Sequence, residues 1–150
     1  MNTEDFFKKL SIIFCSMLFS QIIILFIAIY LLSNNFIKTN SEISFILMVV
    51  FMIIIFPLIV VGAKVYCKII SNNSVKNLLI EDKLILYRKG IILKLAFVEV
   101  PFIYSVTSFL ITGNYVFIIF SIFFITLFYL HKPSEIKFSQ DFNLNNFNKN

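Results

Sequence analysis

Residues 10–32 read LSIIFCSMLFSQIIILFIAIYLL, a run without a single charged side chain. A membrane-spanning helix needs about 20 consecutive apolar residues with few charges, and this run is long enough. In lipid every backbone donor and acceptor must be satisfied within the segment, so the run is predicted to be a helix. The whole chain agrees, because 59% of its 150 residues are hydrophobic and 14% are charged, against roughly 45–50% and 25% in soluble domains.

Three further apolar runs predict three more spans, at residues 43–63, 91–111 and 115–130. Gly113 and Asn114 form a turn pair between the last two runs, so two helices are expected there and not one long helix. The alternating pattern of a membrane β-barrel is absent from the sequence. The predicted fold is an all-α membrane protein whose four transmembrane helices form two hairpins.

The positions of Lys and Arg predict the orientation. All of them except Lys38 fall before the first span, around the segment between the second and third spans, or after the fourth. Both termini are therefore expected in the cytoplasm, with residues 64–90 as a cytoplasmic surface segment and residues 131–150 as a cytoplasmic tail. Within the surface segment, Ser74–Lys89 is predicted to be a short helix lying on the membrane. The predicted location is the cytoplasmic (inner) membrane of a bacterium, crossed several times.

Tyrosines give an independent indication of where the spans end, because Tyr is enriched at membrane interfaces. The chain has six tyrosines and no tryptophan. All but Tyr104 lie at predicted span ends. Those at the outer ends are Tyr30 and Tyr115, and those at the inner ends are Tyr66, Tyr87 and Tyr129.

A shift of 80 residues reveals an internal similarity. It aligns Phe7-Lys8-Lys9 with Tyr87-Arg88-Lys89, and Ser33-Asn34 with Gly113-Asn114. The first and third helices would then be equivalents in a parallel repeat of two hairpins. Alternatively, any two helices that enter the membrane from the cytoplasm begin with basic residues and end with polar ones, and both interpretations stay open.

Two resemblances follow from local motifs. Residues 97–104, FVEVPFIY, resemble the Glu-bearing stretch of the four-helix proteolipids of rotary ATPases, although the first helix lacks the glycines of that family. Over much of its length the chain resembles small bacterial four-helix membrane proteins. The shared features are Lys83-Leu84 and Tyr87-Arg88 before the third helix and a Glu within it. A Thr-Gly-Asn sequence ends that helix, and Lys-Pro begins the tail. This second resemblance implies a four-helix membrane fold and no particular activity.

Glu99 is the only acidic residue inside a predicted span. A carboxylate at that depth costs about 3 kcal/mol on insertion scales, so it should face protein or water, or be protonated. Counting from the basic entries of the first and third helices puts Glu99 level with Ser16, Ser20 and Gln21. We expect a hydrogen bond to one of these three side chains, with Lys64 as the next candidate partner.

A stripe of small or kinked positions runs along the third helix, roughly opposite Glu99. Such residues allow close approach of helix backbones and hydrogen bonds between helices. Pro101 also leaves a carbonyl one turn earlier, near Phe97, without its usual donor, and Ser105 or a neighbouring side chain is expected to satisfy it. The third helix thus has two faces to bury and is predicted to be central. The stripe consists of Pro101, Ser105, Ser108 and Thr112.

The sequence offers no enzyme motif. It has no Ser-His-Asp order, no Gly-rich phosphate loop and no paired carboxylates in a polar segment. The single histidine, His131, has no ligand-type neighbour at suitable spacing, so neither a metal nor a cofactor is expected. The distribution of positive charge fits a membrane topology and not a nucleic-acid partner.

Two functions remain as hypotheses. The first is a small accessory or scaffold subunit that packs in the lipid bilayer as a homo-oligomer or within a larger membrane complex. The second is a transporter or channel for a proton, a cation or a small solute. In that case Glu99 and Gln21 would bind the solute and Ser20 and Lys64 would line its entry.

Overall fold

The computed structural model describes residues 3–71, 78–142 and 144. Every secondary-structure element within those residues is a helix, as predicted. Three helices are long and apolar enough to cross a membrane, and there are four such spans if two helices joined by a sharp bend count as one. Predicted surface residues 72–77, and tail residues 143 and 145–150, lie outside the described residues.

The first helix, α1, is a single helix over Thr3–Ser33. At 1.5 Å per residue it is about 46 Å long, so it extends one to two turns beyond the predicted start at residue 10. Glu4 and Asp5 lie in its first turn, where acidic side chains complement the positive end of the helix dipole. Just beyond its end, Asn35 adopts a positive φ of 55°, which Asn tolerates better than most residues after a helix.

The second span, Ser41–Ile70, is helical throughout but not uniform. It begins with a short 3₁₀ turn, where the Oδ1 atom of Asn40 accepts a hydrogen bond from the backbone N–H of Glu42 at 3.0 Å. It continues as α2 (Ser44–Val50), a π-helical turn (Phe51–Ile55) and α3 (Phe56–Ile70). Proline cannot donate a backbone hydrogen bond, and the regular α pattern is interrupted in the residues that precede Pro57.

The third long helix, α4, covers Ile80–Thr112 without a break. It begins eleven residues before the predicted span, so residues 80–89 of the predicted surface helix are instead the start of α4. Glu81 and Asp82 lie in its first turn and favour a helix start there. It ends at Gly113, which has a φ of 68° and donates its backbone N–H to the carbonyl of Phe109 at 2.8 Å.

The remaining helices are α5 (Val116–Leu130) and α6 (Glu135–Asp141), which meet at an angle of 75°. The Oδ1 atom of Asn114 accepts from the backbone N–H of Val116, the first residue of α5, at 3.0 Å, which is the bond of an Asx turn. The Nδ2 atom of the same residue donates to the hydroxyl of Ser44 at 2.8 Å, which ties the α4–α5 turn to the start of α2. Ser134 is the N-cap of α6.

The helix α4 lies at the centre of the bundle and packs mainly against α3 and α5, with a smaller contact to α1. Half of its most apolar 18-residue window is buried, against 17% for α1 and 12% for the second span. This confirms the prediction that the third helix is central. Phenyl rings fill much of the core, including the stacked pairs Phe14–Phe128 and Phe51–Phe120, whose centroids are 5.2 and 4.5 Å apart.

Two of the tyrosines predicted at the inner membrane interface are buried among the helices. Tyr66 is 8% exposed and Tyr87 is fully buried. The ring of Tyr87 packs against Phe7 with a centroid distance of 6.2 Å, and these two positions are the ones aligned by the 80-residue shift. Tyr87 also packs against Phe138 of α6 at 5.3 Å. The inner-end tyrosines thus connect helices, because their rings offer large contact areas with a polar tip.

Candidate functional site

Glu99 does not form the hydrogen bond predicted for it. It is partly buried on α4, and no hydrogen bond or ion pair joins it to Ser16, Ser20, Gln21 or Lys64 in the part of the chain that the structure describes. Lys64 is exposed near the end of α3. The hydroxyl of Ser20 donates to the carbonyl of Met17 in its own helix at 2.7 Å.

The reason lies in the geometry of α1. Successive residues of an α-helix are 100° apart, so Ser20 and Gln21 point in different directions although they are neighbours in sequence. Ser16 and Ser20 are exposed, whereas Gln21 is 1% exposed and faces the core. Neither polar atom of the Gln21 amide has a hydrogen-bond partner among the described residues. Matching the depth of two helices takes no account of the direction in which each side chain points.

The four residues of the small-residue stripe, Pro101, Ser105, Ser108 and Thr112, are all buried. The hydroxyl of Ser105 donates to the carbonyl of Pro101 at 2.9 Å, and that of Thr112 donates to the carbonyl of Ser108 at 2.7 Å. Ser105 therefore bonds to the carbonyl of Pro101 and not to one near Phe97 as predicted. These two hydroxyls are satisfied within α4, so they add no hydrogen bond between helices.

Gly62 of α3 lies tightly against α4, although nothing in the sequence marks this position. A Cβ atom added at Gly62 would lie 2.5 Å from the Cβ atom of Phe97. Contacts this short do not occur between real side chains, so only glycine allows the two helices to lie at this distance. A Cβ atom added at Gly90 of α4 would lie 3.2 Å from the ring of Tyr66, a tight contact but less severe than that at Gly62.

The densest group of polar side chains lies elsewhere, at the end of the bundle where α3 finishes and α6 begins. A cavity of about 220 Å³ opens there, lined by Tyr66 of α3, Lys94 of α4, and His131, Lys137 and Asp141 from the end of α5 and from α6. The phenol of Tyr66 donates to Oδ2 of Asp141 at 2.5 Å. This bond joins residues 75 positions apart and holds α6 against α3.

The two lysines of this cavity are held differently. The Nζ atom of Lys137 donates to the carbonyls of Leu130 and Lys132, at 2.9 and 3.1 Å. Those carbonyls lie at the end of α5, where a cation is favoured by the helix dipole. The Nζ atom of Lys94 lies 4.7 Å from the centroid of the Tyr66 ring, a cation–π contact.

His131 caps the end of α5 beside the cavity. Its Nδ1 atom is 2.7 Å from the carbonyl of Leu127. A carbonyl can only accept, so Nδ1 carries the proton and Nε2 is left for another partner. Burial lowers the pKa of His131 below its ordinary value, and the nearby charges of Lys94 and Lys137 lower it further.

Sequence reasoning missed this cluster because its members come from three separate stretches of the chain. In the sequence Lys94 is a single charge near the start of the predicted third span, and His131 is a lone histidine without a ligand-type neighbour. One signal was available: a lysine inside an apolar span needs a neighbour that offsets its charge. Nothing in the sequence indicates, however, that the tail folds back as α6 and brings Asp141 to Tyr66.

Chemically, the cluster offers hydrogen-bond donors and positive charge, with one carboxylate already engaged by a phenol. In the described residues no three His, Cys, Asp or Glu side chains are grouped as metal ligands would be. No protein-family model, no curated protein and no solved structure matches this chain.

Proposed function

We propose that this chain is a small multi-pass membrane protein that acts as an accessory or scaffold subunit. It packs with copies of itself or within a larger membrane complex. We propose neither a catalytic role nor a metal or cofactor for it. The supporting observation is the environment of Glu99 on the central helix.

Glu99 lies in the middle of the span formed by α4 and is only partly buried. It has no hydrogen bond or ion pair within the described part of the chain. A carboxyl group left in contact with hydrocarbon is costly, by roughly 2.5–3.5 kcal/mol for Asp on insertion scales. A polar side chain from another copy or another subunit would remove that cost, which is why an assembly is the favoured function.

The surface of α1 supports the same proposal. Ser16 and Ser20 are exposed on this helix. Small hydroxyl-bearing residues favour close packing between membrane helices. With only 17% of its most apolar window buried, α1 has most of its surface free for lipid or for a second protein.

The proposed topology has four spans arranged as two hairpins, with α5 as the fourth span and α6 in the cytoplasmic tail. Both termini lie in the cytoplasm, and the membrane is the inner membrane of a bacterium. The distribution of Lys and Arg supports this orientation. Labelling single introduced cysteines at Asn34 and at Lys132 with a membrane-impermeant reagent tests it, in a variant whose Cys15 and Cys67 are replaced by serine. Only the first position should react in intact cells.

The native mass of the protein in mild detergent tests the assembly. The wild-type chain should run well above the monomer mass, or should carry a co-purified partner. Glu99→Leu removes the polar group and should weaken association about tenfold, which corresponds to about 1.4 kcal/mol. Glu99→Gln, which keeps hydrogen-bonding atoms, should retain part of the association.

Thr107→Val is the matched control, because Thr107 is an exposed polar residue of the same helix whose hydroxyl bonds to its own carbonyl at Ile103. This variant should associate like the wild type. A strictly monomeric wild-type protein without any partner would contradict the proposal. So would a Glu99→Leu variant that associates as strongly as Thr107→Val.

Transport through Glu99 is the alternative function, and no specific observation favours it. The cavities described between the helices are lined by other residues. Flux of protons and cations in proteoliposomes would separate the two functions. A flux that Glu99→Gln abolishes would support transport, whereas a chain without flux that still associates would support the scaffold role.

A further inference from the structure

We propose that the cavity between α3, α4 and α6 is a binding site for a phosphate group. The site is independent of the assembly proposed above. It rests on the geometry of five side chains, Tyr66, Lys94, His131, Lys137 and Asp141, around a space of about 220 Å³. A cavity of this size accommodates a phosphate group with some water.

The first part of the argument is the unused hydrogen-bonding capacity of Lys94. An ammonium group has three donors and no acceptor. In the described part of the chain, Lys94 makes a cation–π contact with Tyr66 and no hydrogen bond. An aromatic ring offers only its π face to the charge, so all three N–H groups remain available to a ligand with oxygen acceptors.

The second part is the way in which the neighbouring groups are fixed. Lys137 uses two of its three donors on the carbonyls of Leu130 and Lys132, which hold its charge at the edge of the cavity. His131 is oriented by its Nδ1 bond to the carbonyl of Leu127, which leaves Nε2 as its remaining polar atom. Both groups are positioned before any ligand arrives, which reduces the entropy cost of binding.

The third part is the balance of charge. Lys94 and Lys137 contribute two positive charges, and Asp141 one negative charge. The carboxylate repels an anion, but its Oδ2 atom already accepts the hydrogen bond from Tyr66. The cavity therefore has a net positive charge and more donors than acceptors, and the complementary ligand is an oxyanion. Phosphate oxygens fit this pattern, whether they belong to free phosphate or to a lipid headgroup.

His131 provides a direct readout, because it is the only histidine in the chain. The experiment follows its imidazole signals by NMR as the pH is changed, using the full chain in maltoside micelles, which contain no phosphate. Three conditions at equal ionic strength are compared: chloride alone, added inorganic phosphate, and micelles doped with phosphatidic acid. A bound anion favours the imidazolium form, so binding should raise the pKa of His131.

Lys94→Gln tests the assigned donor. Removing one charge-assisted contact should weaken phosphate binding by about ten- to a hundredfold. Removing a nearby cation also changes the starting pKa of His131, so the measured quantity is the difference with and without phosphate. Lys68→Gln, at an exposed lysine of the last turn of α3, is the control and should bind like the wild type.

Lys94→Arg is the control that separates a lost phosphate contact from misfolding of the Lys94→Gln variant. It keeps the positive charge and several donors, so it should restore most of the phosphate response that Lys94→Gln loses. A response to only one of the two phosphate sources would identify that source as the ligand. A wild-type His131 that responds to neither source would overturn the proposal, as would a full response in Lys94→Gln.

Discussion

The helices α1 and α4 are nearly equal in length and are both apolar enough to cross a membrane, yet they sit in different environments. Half of the most apolar window of α4 is buried in protein, against 17% for α1. The buried polar side chains of the two helices also differ in whether they have hydrogen-bond partners. Ser105 and Thr112 of α4 are satisfied by carbonyls of their own helix, whereas the amide of Gln21 in α1 has no partner in the described residues.

This difference shows that hydropathy identifies a span but not its neighbours. The burial of α4 comes from small residues and from a close approach to α3, as at Gly62. The corresponding stretch of α1 carries large side chains such as Phe19 and Phe26, which are exposed. In lipid such side chains gain little from contact with protein, because the hydrocarbon is equally apolar.

The largest difference in the free energy of unfolding is expected between two Phe→Ala variants, one in α4 and one in α1. Phe102 of α4 is 1% exposed and Phe26 of α1 is 68% exposed. Phe102→Ala should lower the free energy of unfolding by roughly 2–3 kcal/mol, because a cavity remains although no transfer from water is lost. Phe26→Ala should change it by less than about 0.5 kcal/mol. Equilibrium unfolding in a maltoside–SDS titration measures both, and equal effects would remove the distinction between the helices.

The next effect concerns the contact that makes α4 central. Gly62→Leu should force α3 away from Phe97 and cost about 1–3 kcal/mol, the usual range for overpacking. Ala63→Leu introduces the same side chain at the exposed neighbouring position and should be close to neutral. The same SDS titration compares them. A neutral Gly62→Leu would mean that the α3–α4 contact contributes little to stability.

A smaller effect, an increase in the free energy of unfolding, is expected from a substitution in α1. Gln21→Leu replaces an unsatisfied buried amide with an apolar side chain of similar size, and should stabilise the chain by about 1 kcal/mol. Ser20→Ala, at the exposed neighbouring position, should have almost no effect. Destabilisation by Gln21→Leu would show that the amide has a partner in the membrane, such as a second copy of the chain.

The smallest effect is a pH dependence at the end of α5, where burial lowers the pKa of His131. The unfolded chain titrates near 6.5, so between the lowered folded value and 6.5 the unfolded state binds more protons. Stability should therefore fall as the pH drops below about 6.5, and the fall should end once the folded state also binds the proton. His131→Gln should remove this part of the pH profile. A wild-type and a variant profile that coincide would show that the imidazole titrates normally.

Much of the fold could be predicted from the sequence. The apolar runs predicted the helical spans, and the pair Gly113-Asn114 predicted the break between α4 and α5. The central position of the third helix was predicted from its two opposite faces, one with Glu99 and one with the small-residue stripe. The start of α4 could not be predicted from hydropathy, because Glu81, Asp82 and Lys83 break the apolar pattern without breaking the helix. The π turn at Phe51–Ile55 also has no distinct hydropathy signal.

The candidate site could be predicted far less well. Glu99 was recognised from its charge alone, but its neighbours depend on the rotation of α1, which the depth argument leaves open. The cluster around Lys94 depends on α6 folding back at 75° from α5. That bend brings Asp141 to Tyr66, and no short-range pattern in the sequence encodes such a contact.

The length of α5 has a consequence for the membrane itself. Its 15 residues extend about 22 Å, whereas a typical hydrocarbon core is about 30 Å thick. On the proposed topology, the bilayer beside α5 is compressed while the bilayer beside the much longer α1 is not. Such hydrophobic mismatch costs fractions of a kcal/mol per Å and sorts proteins between membranes of different thickness. On that topology, the bend after Leu130 leaves one short span beside three long ones, which favours a thinner bilayer next to α5.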